Sequence, residues 1–176
     1  MGSALIEKAA AYARFHHEGQ VRKGEAREIY ITHVEEVAGL VSDFGGDEVA
    51  VAAAWLHDIV EDCTPTIEDI ESEFGSGVAS VVAEVTDDKS LEKAERKSLQ
   101  IATAPRKSLA ACLIKWADNS SNLRAIAKSP PPWSVSRKRE YIAWAQRVTG
   151  ALQHKPADAL TYFEASVSMA VRSLEN

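Results

Sequence analysis

Apolar residues recur at three- and four-residue spacing along almost the whole chain, which predicts amphipathic helices rather than strands. Residues 4–17 place Leu5, Ala9, Tyr12 and Ala13 on one side, and Gly19 stops that helix. Residues 18–31 have no such period: Arg22-Lys23-Gly24 reads as a turn and Ile29-Tyr30-Ile31 as a short extended piece. Thr32 with Glu35 predicts a capping box that puts His33 at the first helical position. Val37, Ala38, Val41 and Phe44 form the stripe of that helix, and Gly45-Gly46 ends it. Asp47 caps the next helix, which runs to about Asp62 before Thr64-Pro65 breaks it. Thr66, with Asp69 in the box position, opens a short helix ending at Gly75.

Val78, Val81, Val82 and Val85 are β-branched, yet their spacing favours another helix. Thr86-Asp87-Asp88-Lys89 is a polar loop, and a charged helix follows from about Leu91 to Ile101. Ser108 opens a helix predicted to bury Leu109, Cys112, Leu113 and Trp116 and to deliver Asp118 and, one turn later, Asn122. Pro130-Pro131-Pro132 is a rigid break. Ser134 caps a helix to about Val148 that displays Arg137, Tyr141 and Trp144, with Gly150 as its end, and Pro156 opens the last helix, to about Leu174. No repeat and no linker appears. The pattern predicts one all-α domain over residues 1–176, of about eight to ten helices, with at most a tiny β-hairpin near residues 20–31.

Composition narrows the function classes. The 176 residues are 45% hydrophobic, enough for one sizeable core. No apolar run reaches the length of a membrane span. Met1-Gly2-Ser3-Ala4-Leu5 lacks the basic-then-apolar order of a signal peptide, and Ile6 stands where a myristoylation signal wants Ser or Thr. The formal net charge of −6 argues against a nucleic-acid binder. Basic residues nevertheless cluster locally, at Arg22-Lys23, Arg106-Lys107 and Arg137-Lys138-Arg139. Cys63 and Cys112 form no metal-binding spacing and read as free thiols in a reducing compartment, the cytoplasm.

One stretch breaks the ordinary pattern. Ala52-Ala53-Ala54-Trp55-Leu56 runs into His57-Asp58-Ile59-Val60-Glu61-Asp62, so an apolar helix carries four ionisable groups. His57 and Glu61 are four residues apart, as are Asp58 and Asp62, which stacks each pair along one side of a helix. Such charge in a core is costly unless balanced. A single His-Asp pair is as a rule a satisfied core histidine or a polar helix end. Together with His33 and Asp118, however, it supplies two imidazoles and two carboxylates from separate helices. That donor set suits Mn²⁺, with Fe²⁺ and Zn²⁺ also compatible, and leaves positions for water and substrate.

The ordered set His33 … His57-Asp58 … Asp118 resembles the motif of the HD phosphohydrolase superfamily. The resemblance extends to the hydrolase domain of the RelA/SpoT alarmone enzymes through Gly19-Gln20-x-Arg22-Lys23, Tyr30-Ile31-x-His33, His57-Asp58-x-x-Glu61-Asp62, Phe74-Gly75, Val85-Thr86 and Lys115-x-Ala117-Asp118-x-x-x-Asn122-x-Arg124. Glu84-Val85-Thr86-Asp87-Asp88-Lys89, Glu95-Arg96-Lys97 and Trp133-Ser134 … Glu140-Tyr141 are similar to the metazoan-type small alarmone hydrolases in particular. The similarity covers roughly residues 5 to 150, without the synthetase and regulatory domains of the long family members.

This resemblance implies an HD-domain helical fold. It implies Mn²⁺-dependent hydrolysis of guanosine 3′,5′-bis(diphosphate) (ppGpp) to GDP and pyrophosphate. His33, His57, Asp58 and Asp118 would hold the metal, and Glu61 and Asp62 would orient water and shuttle its proton. Arg22, Lys23, Lys93, Asn122, Arg137 and Tyr141 would contact substrate. His16, His17 and His154 match nothing and read as surface or helix-end residues. Val34 replaces the family's frequent Pro, and Ser120-Ser121 replaces larger residues, which predicts a smaller and more polar pocket wall. Two other functions compete: an NADPH 2′-phosphatase, or other nucleotide phosphatase, using the same metal site, and a non-catalytic alarmone-binding module. A small-molecule nucleotide is the expected partner in each case, with a homo-oligomer left open and no nucleic acid or membrane expected.

Overall fold

In the computed structural model, which describes residues 3–175, side-chain caps set five of the ten α-helix starts. Ser3 accepts from the Ile6 N–H and begins α1 (Ala4–His16). Asp47 accepts from the Ala50 N–H at 2.8 Å and begins α3 (Glu48–Leu56). Thr66 and Asp69 form the expected reciprocal capping box at α5 (Ile67–Phe74). Ser108 caps α8 (Leu109–Lys128), and Ser134 caps α9 (Val135–Ala151). The remaining elements are α2 (Ile31–Asp43), α4 (Ile59–Asp62), α6 (Ser76–Val85), α7 (Lys93–Thr103), a 3₁₀ turn (Ala104–Arg106) and α10 (Ala157–Ser173). Ten α-helices among the described residues therefore build an all-α domain.

Several boundaries differ from the sequence reading. The helix expected to run unbroken from Asp47 to Asp62 is interrupted at His57-Asp58, between α3 and α4. The Ala54 carbonyl, which the Asp58 N–H would reach in a continuous helix, receives the His57 imidazole Nδ1 at 2.7 Å. Thr32 is no cap: α2 starts at Ile31, two residues earlier than expected, Tyr30 is already helical, and the Thr32 hydroxyl donates back to the Ile29 carbonyl at 2.8 Å. His33 is thus third in its helix. The hairpin near residues 20–31 reduces to a single antiparallel bridge, Val21 with Ile29. Gly150 lies inside α9 instead of ending it. Leu109 is half exposed, because at the first turn of α8 it precedes the buried run from Ala111 to Ala117.

Two helices form the centre. Every residue of α3 from Ala50 to Leu56 is buried, and its alanines let α1, α2 and α6 approach closely. α8 runs beside it and packs along α10, where Trp116 meets Phe163 edge-on at 5.3 Å. The 18–30 loop is fastened across the end of α8. The Ala26 N–H donates to Ser129 Oγ at 3.0 Å, and Gly24 sits so close to Ser129 that a Cβ would fall 2.3 Å from the Ser129 carbonyl oxygen. Only glycine fits there. Fixing this loop fixes Arg22 and Lys23. His17, expected as a surface or helix-end residue, caps the C-terminal end of α1 but is buried; its Nδ1 lies 2.8 Å from Gln20 Oε1, and its ring lies 5.1 Å from that of Tyr30. Among the described residues no helix is long and apolar enough to cross a membrane. The expectations placed on Met1 and Gly2 lie outside the described residues.

Candidate active site

Three elements bring the chemistry together: α2 carries His33, the α3–α4 break carries His57 and Asp58, and α8 carries Asp118 and Asn122. The ligand atoms of His33, His57 and Asp58 all lie within 4.8 Å of one another. Asp118 Oδ1 joins them, 3.4 Å from His33 Nε2. His57 Nε2 lies 3.0 Å from Asp58 Oδ2, yet it is buried and makes no hydrogen bond. Its Nδ1 faces a carbonyl, which only accepts, so Nδ1 keeps a proton and Nε2 is the nitrogen directed into the cluster, a donor to a cation once its own proton is displaced. An inward-facing imidazole nitrogen among partly buried carboxylates fits a divalent cation.

The electrostatics agree. Burial alone would push His57 down, but the Asp58 carboxylate overrides it and raises the group to about 9. Burial would raise Asp58, but His57, His33 and the Tyr30 hydroxyl hold it well below the ordinary carboxylate range. Asp118 is likewise kept low against its burial, chiefly by His33. Negative charge is therefore retained in a partly buried place, where a proton on His57 holds the position that a cation would compete for.

Glu61 and Asp62 face different spaces. Glu61 lines a cavity of about 150 Å³ with His33, His57, Asp58 and Asp118. Burial, with Asp58 and Asp87 nearby, pushes it up to about 7, against the pull of the Asp87 N–H that donates to its Oε1 at 2.7 Å. Asp62 lines a second cavity, of about 590 Å³, and pairs with Lys89 at 3.0 Å. Arg22, Lys23, Asn122 and Tyr141 line this larger cavity too, with Trp133. The two cavities adjoin, since Tyr30 and Asn122 belong to the walls of both. Lys93 and Arg137 line neither. They stand beside it: Arg137 stacks on Trp133 at 4.4 Å, and Lys93 is held low by its own desolvation and then by Arg137, Lys23 and Arg96. That mutual repulsion marks a cationic cluster that an anion would relieve.

Sequence reasoning missed three contributors. The Tyr30 hydroxyl donates to Asp58 Oδ2 at 2.6 Å from 28 residues away. Lys89 neutralises Asp62 and lies 3.7 Å from Glu61 Oε2. Ser121, expected in a pocket wall with Ser120, lines neither cavity; it is buried behind His33, while Ser120 donates to the Trp116 carbonyl within α8. Tyr30 and Lys89 stood inside recognisable motifs, but nothing in their spacing gave a partner.

Residues 9–146 match the family model described as HD domain. The chain is 45% identical to a Xenopus tropicalis protein over 86% of each chain, and 43% identical to a Homo sapiens protein over 87% of this chain and 88% of that one. Both carry the name guanosine-3′,5′-bis(diphosphate) 3′-pyrophosphohydrolase MESH1. A solved structure described as a metazoan ortholog of SpoT that hydrolyzes ppGpp superposes with a TM-score of 0.89 at 40% identity, covering 94% of this chain and 95% of its own. A Listeria monocytogenes protein, lmo0812, superposes with a TM-score of 0.68 at 27% identity, over 82% of this chain and 99% of its own.

Proposed function

The chain belongs to the HD-domain family, and from that premise we propose that it is a metal-dependent hydrolase that converts ppGpp to GDP and pyrophosphate. The observation that carries this reading is the adjacency of the two cavities: one collects two imidazoles and carboxylates, the other has the volume and lining for a nucleoside. His33, His57, Asp58 and Asp118 hold the ion, and their donor set favours Mn²⁺ while also suiting Fe²⁺ and Zn²⁺. When bound, such an ion supplies a Lewis acid and makes nearby water more acidic.

The chain's own residues do the rest. Tyr141 and Trp133 offer aromatic surface to the base beside Arg22 and Lys23. Asn122, held between Asp118 Oδ1 at 2.7 Å and Arg22 at 2.9 Å, meets the ribose where the cavities join. Lys23, Lys93 and Arg137 receive the diphosphate remote from the reaction. Water attacks the phosphorus on the ribose 3′ oxygen. Glu61 takes its proton, and the bond to the 3′ oxygen breaks, with that oxygen regaining a proton as GDP forms. Asp62, on the nucleoside side, is the second carboxylate available for that return. We place the protein in the cytoplasm, in keeping with Cys63 and Cys112 as free thiols.

A second reading shares every group named: a 2′ phosphate ester of NADPH presents the same chemistry to the same pocket. The test is product release from purified, Mn²⁺-loaded protein given ppGpp or NADPH, with Asp58→Ala as blank. Pyrophosphate from ppGpp at the higher kcat/KM supports the proposal. Dominant orthophosphate from NADPH moves the protein to cofactor phosphatases, and neither product leaves an alarmone-binding module.

A further inference from the structure

Ser121 Oγ is buried and has three polar neighbours, two on α2 and one in the 18–30 loop. Glu36 Oε2 lies at 2.6 Å, His33 Nδ1 at 2.9 Å and the Arg22 guanidinium at 3.4 Å. A serine hydroxyl has one proton to donate and two electron pairs to accept with. A guanidinium only donates, so the hydroxyl proton does not go to Arg22. The short contact to the Glu36 carboxylate claims it. Ser121 then meets His33 with an electron pair, and the His33 Nδ1 must carry a proton. That leaves Nε2 directed at Asp118 Oδ1, 3.4 Å away, and Asp58 Oδ2, 3.7 Å away.

We propose that Glu36 and Ser121 are positioning residues of the metal centre, forming a chain Glu36–Ser121–His33 that locks the ring orientation and tautomer in which His33 Nε2 is the donor. The proposal rests on the metal reading above. His33 and Glu36 sit three residues apart on α2, so they share a face. Ser121 sits three residues after Asp118 on α8 and presents its hydroxyl to that face. The chain therefore also joins the two helices that carry opposite sides of the cluster. The carboxylate at its far end polarises the hydroxyl and makes the imidazole a better donor. Arg22 links it to the nucleoside cavity, because the same guanidinium that reaches Ser121 donates to Asn122 Oδ1. An apolar residue at position 121 would leave the buried His33 N–H without an acceptor.

The test uses the full chain with Ser121→Ala, Ser121→Thr and Glu36→Gln. Mn²⁺ is titrated into chelator-stripped protein by calorimetry. Histidine-labelled protein loaded with diamagnetic Zn²⁺ is examined by ¹⁵N–¹H NMR. Wild type should show His33 with its proton on Nδ1, slow to exchange with water. Ser121→Ala should lose that protection and bind Mn²⁺ about 10- to 100-fold more weakly. Ser121→Thr, which keeps the hydroxyl, should restore both readouts, and Glu36→Gln should fall between. An unchanged Mn²⁺ affinity in Ser121→Ala, or a His33 proton on Nε2 in wild type, overturns the proposal alone. Wild type that takes up neither ion overturns the metal reading and this proposal with it.

Discussion

Glu61 and Asp62 are neighbours in sequence with different surroundings. Glu61 is enclosed and pushed up to about 7, whereas Asp62 is exposed and answered by Lys89. A general base works best with a pKa near the working pH, so Glu61 is the better suited of the two. The expected pH profile rises with kcat/KM as Glu61 ionises and levels above about 7. Glu61→Gln should lower kcat by about 100-fold or more and remove that acidic limb; a limb that persists in the variant assigns the titration elsewhere. Stability moves the opposite way. A carboxyl raised from the ordinary 4.5 stabilises the fold below that value, and the contribution is lost as pH climbs toward 7. Metal-free wild type should therefore lose Tm relative to Glu61→Gln across that interval, measured by scanning calorimetry in chelator.

Helices here are specified by their ends as much as by their stripes. The Thr66–Asp69 box fixes α5 without touching either cavity, so Thr66→Ala should cost about 1 kcal/mol in denaturant unfolding and leave kcat unchanged. A change in kcat would mean that α5 is coupled to the site. The break between α3 and α4 is a different case. It arises because a side chain competes with the backbone for the Ala54 carbonyl, and it turns His57 and Asp58 toward His33 on α2. Four-residue spacing foresaw charge stacked along a helix side. The observed chain keeps the His57–Glu61 pair together in the small cavity and separates Asp62 from Asp58, placing it in the large one.

Across the whole molecule, the core and the site are one construction. α3 and α8 are the most buried helices; α3 ends where it delivers His57 and Asp58, and α8 carries Asp118 near its middle. The retained negative charge of Asp58 and Asp118 in that interior is a standing cost that a divalent ion would offset. Mn²⁺ at about 100 times its Kd should stabilise the fold by about 2.7 kcal/mol, roughly 5–10 °C in Tm for a chain of this size. Asp58→Ala should abolish that rise. A wild-type Tm indifferent to Mn²⁺ and other divalent ions, with EDTA as reference, would deny the cluster its metal.

The sequence by itself determined the all-α class and most helix starts, and it supplied the residues proposed to carry the chemistry. Those follow from local rules: apolar period, capping side chains, and ordered His, Asp and Glu positions whose motif spacing survives without coordinates. His33, His57, Asp58, Asp118, Glu61 and Asn122 all line the one small cavity, as their pattern led one to expect. Tertiary structure alone decided which partner each of them meets. Tyr30 reaches Asp58 across 28 residues, Ser121 reaches His33 across 88, and Arg22 reaches Asn122 across 100. Such contacts depend on where a loop is pinned and how two helices cross, and no window of sequence contains both ends. The same reason hid the buried state of His17 and turned Ser121 from an expected pocket wall into a partner of His33.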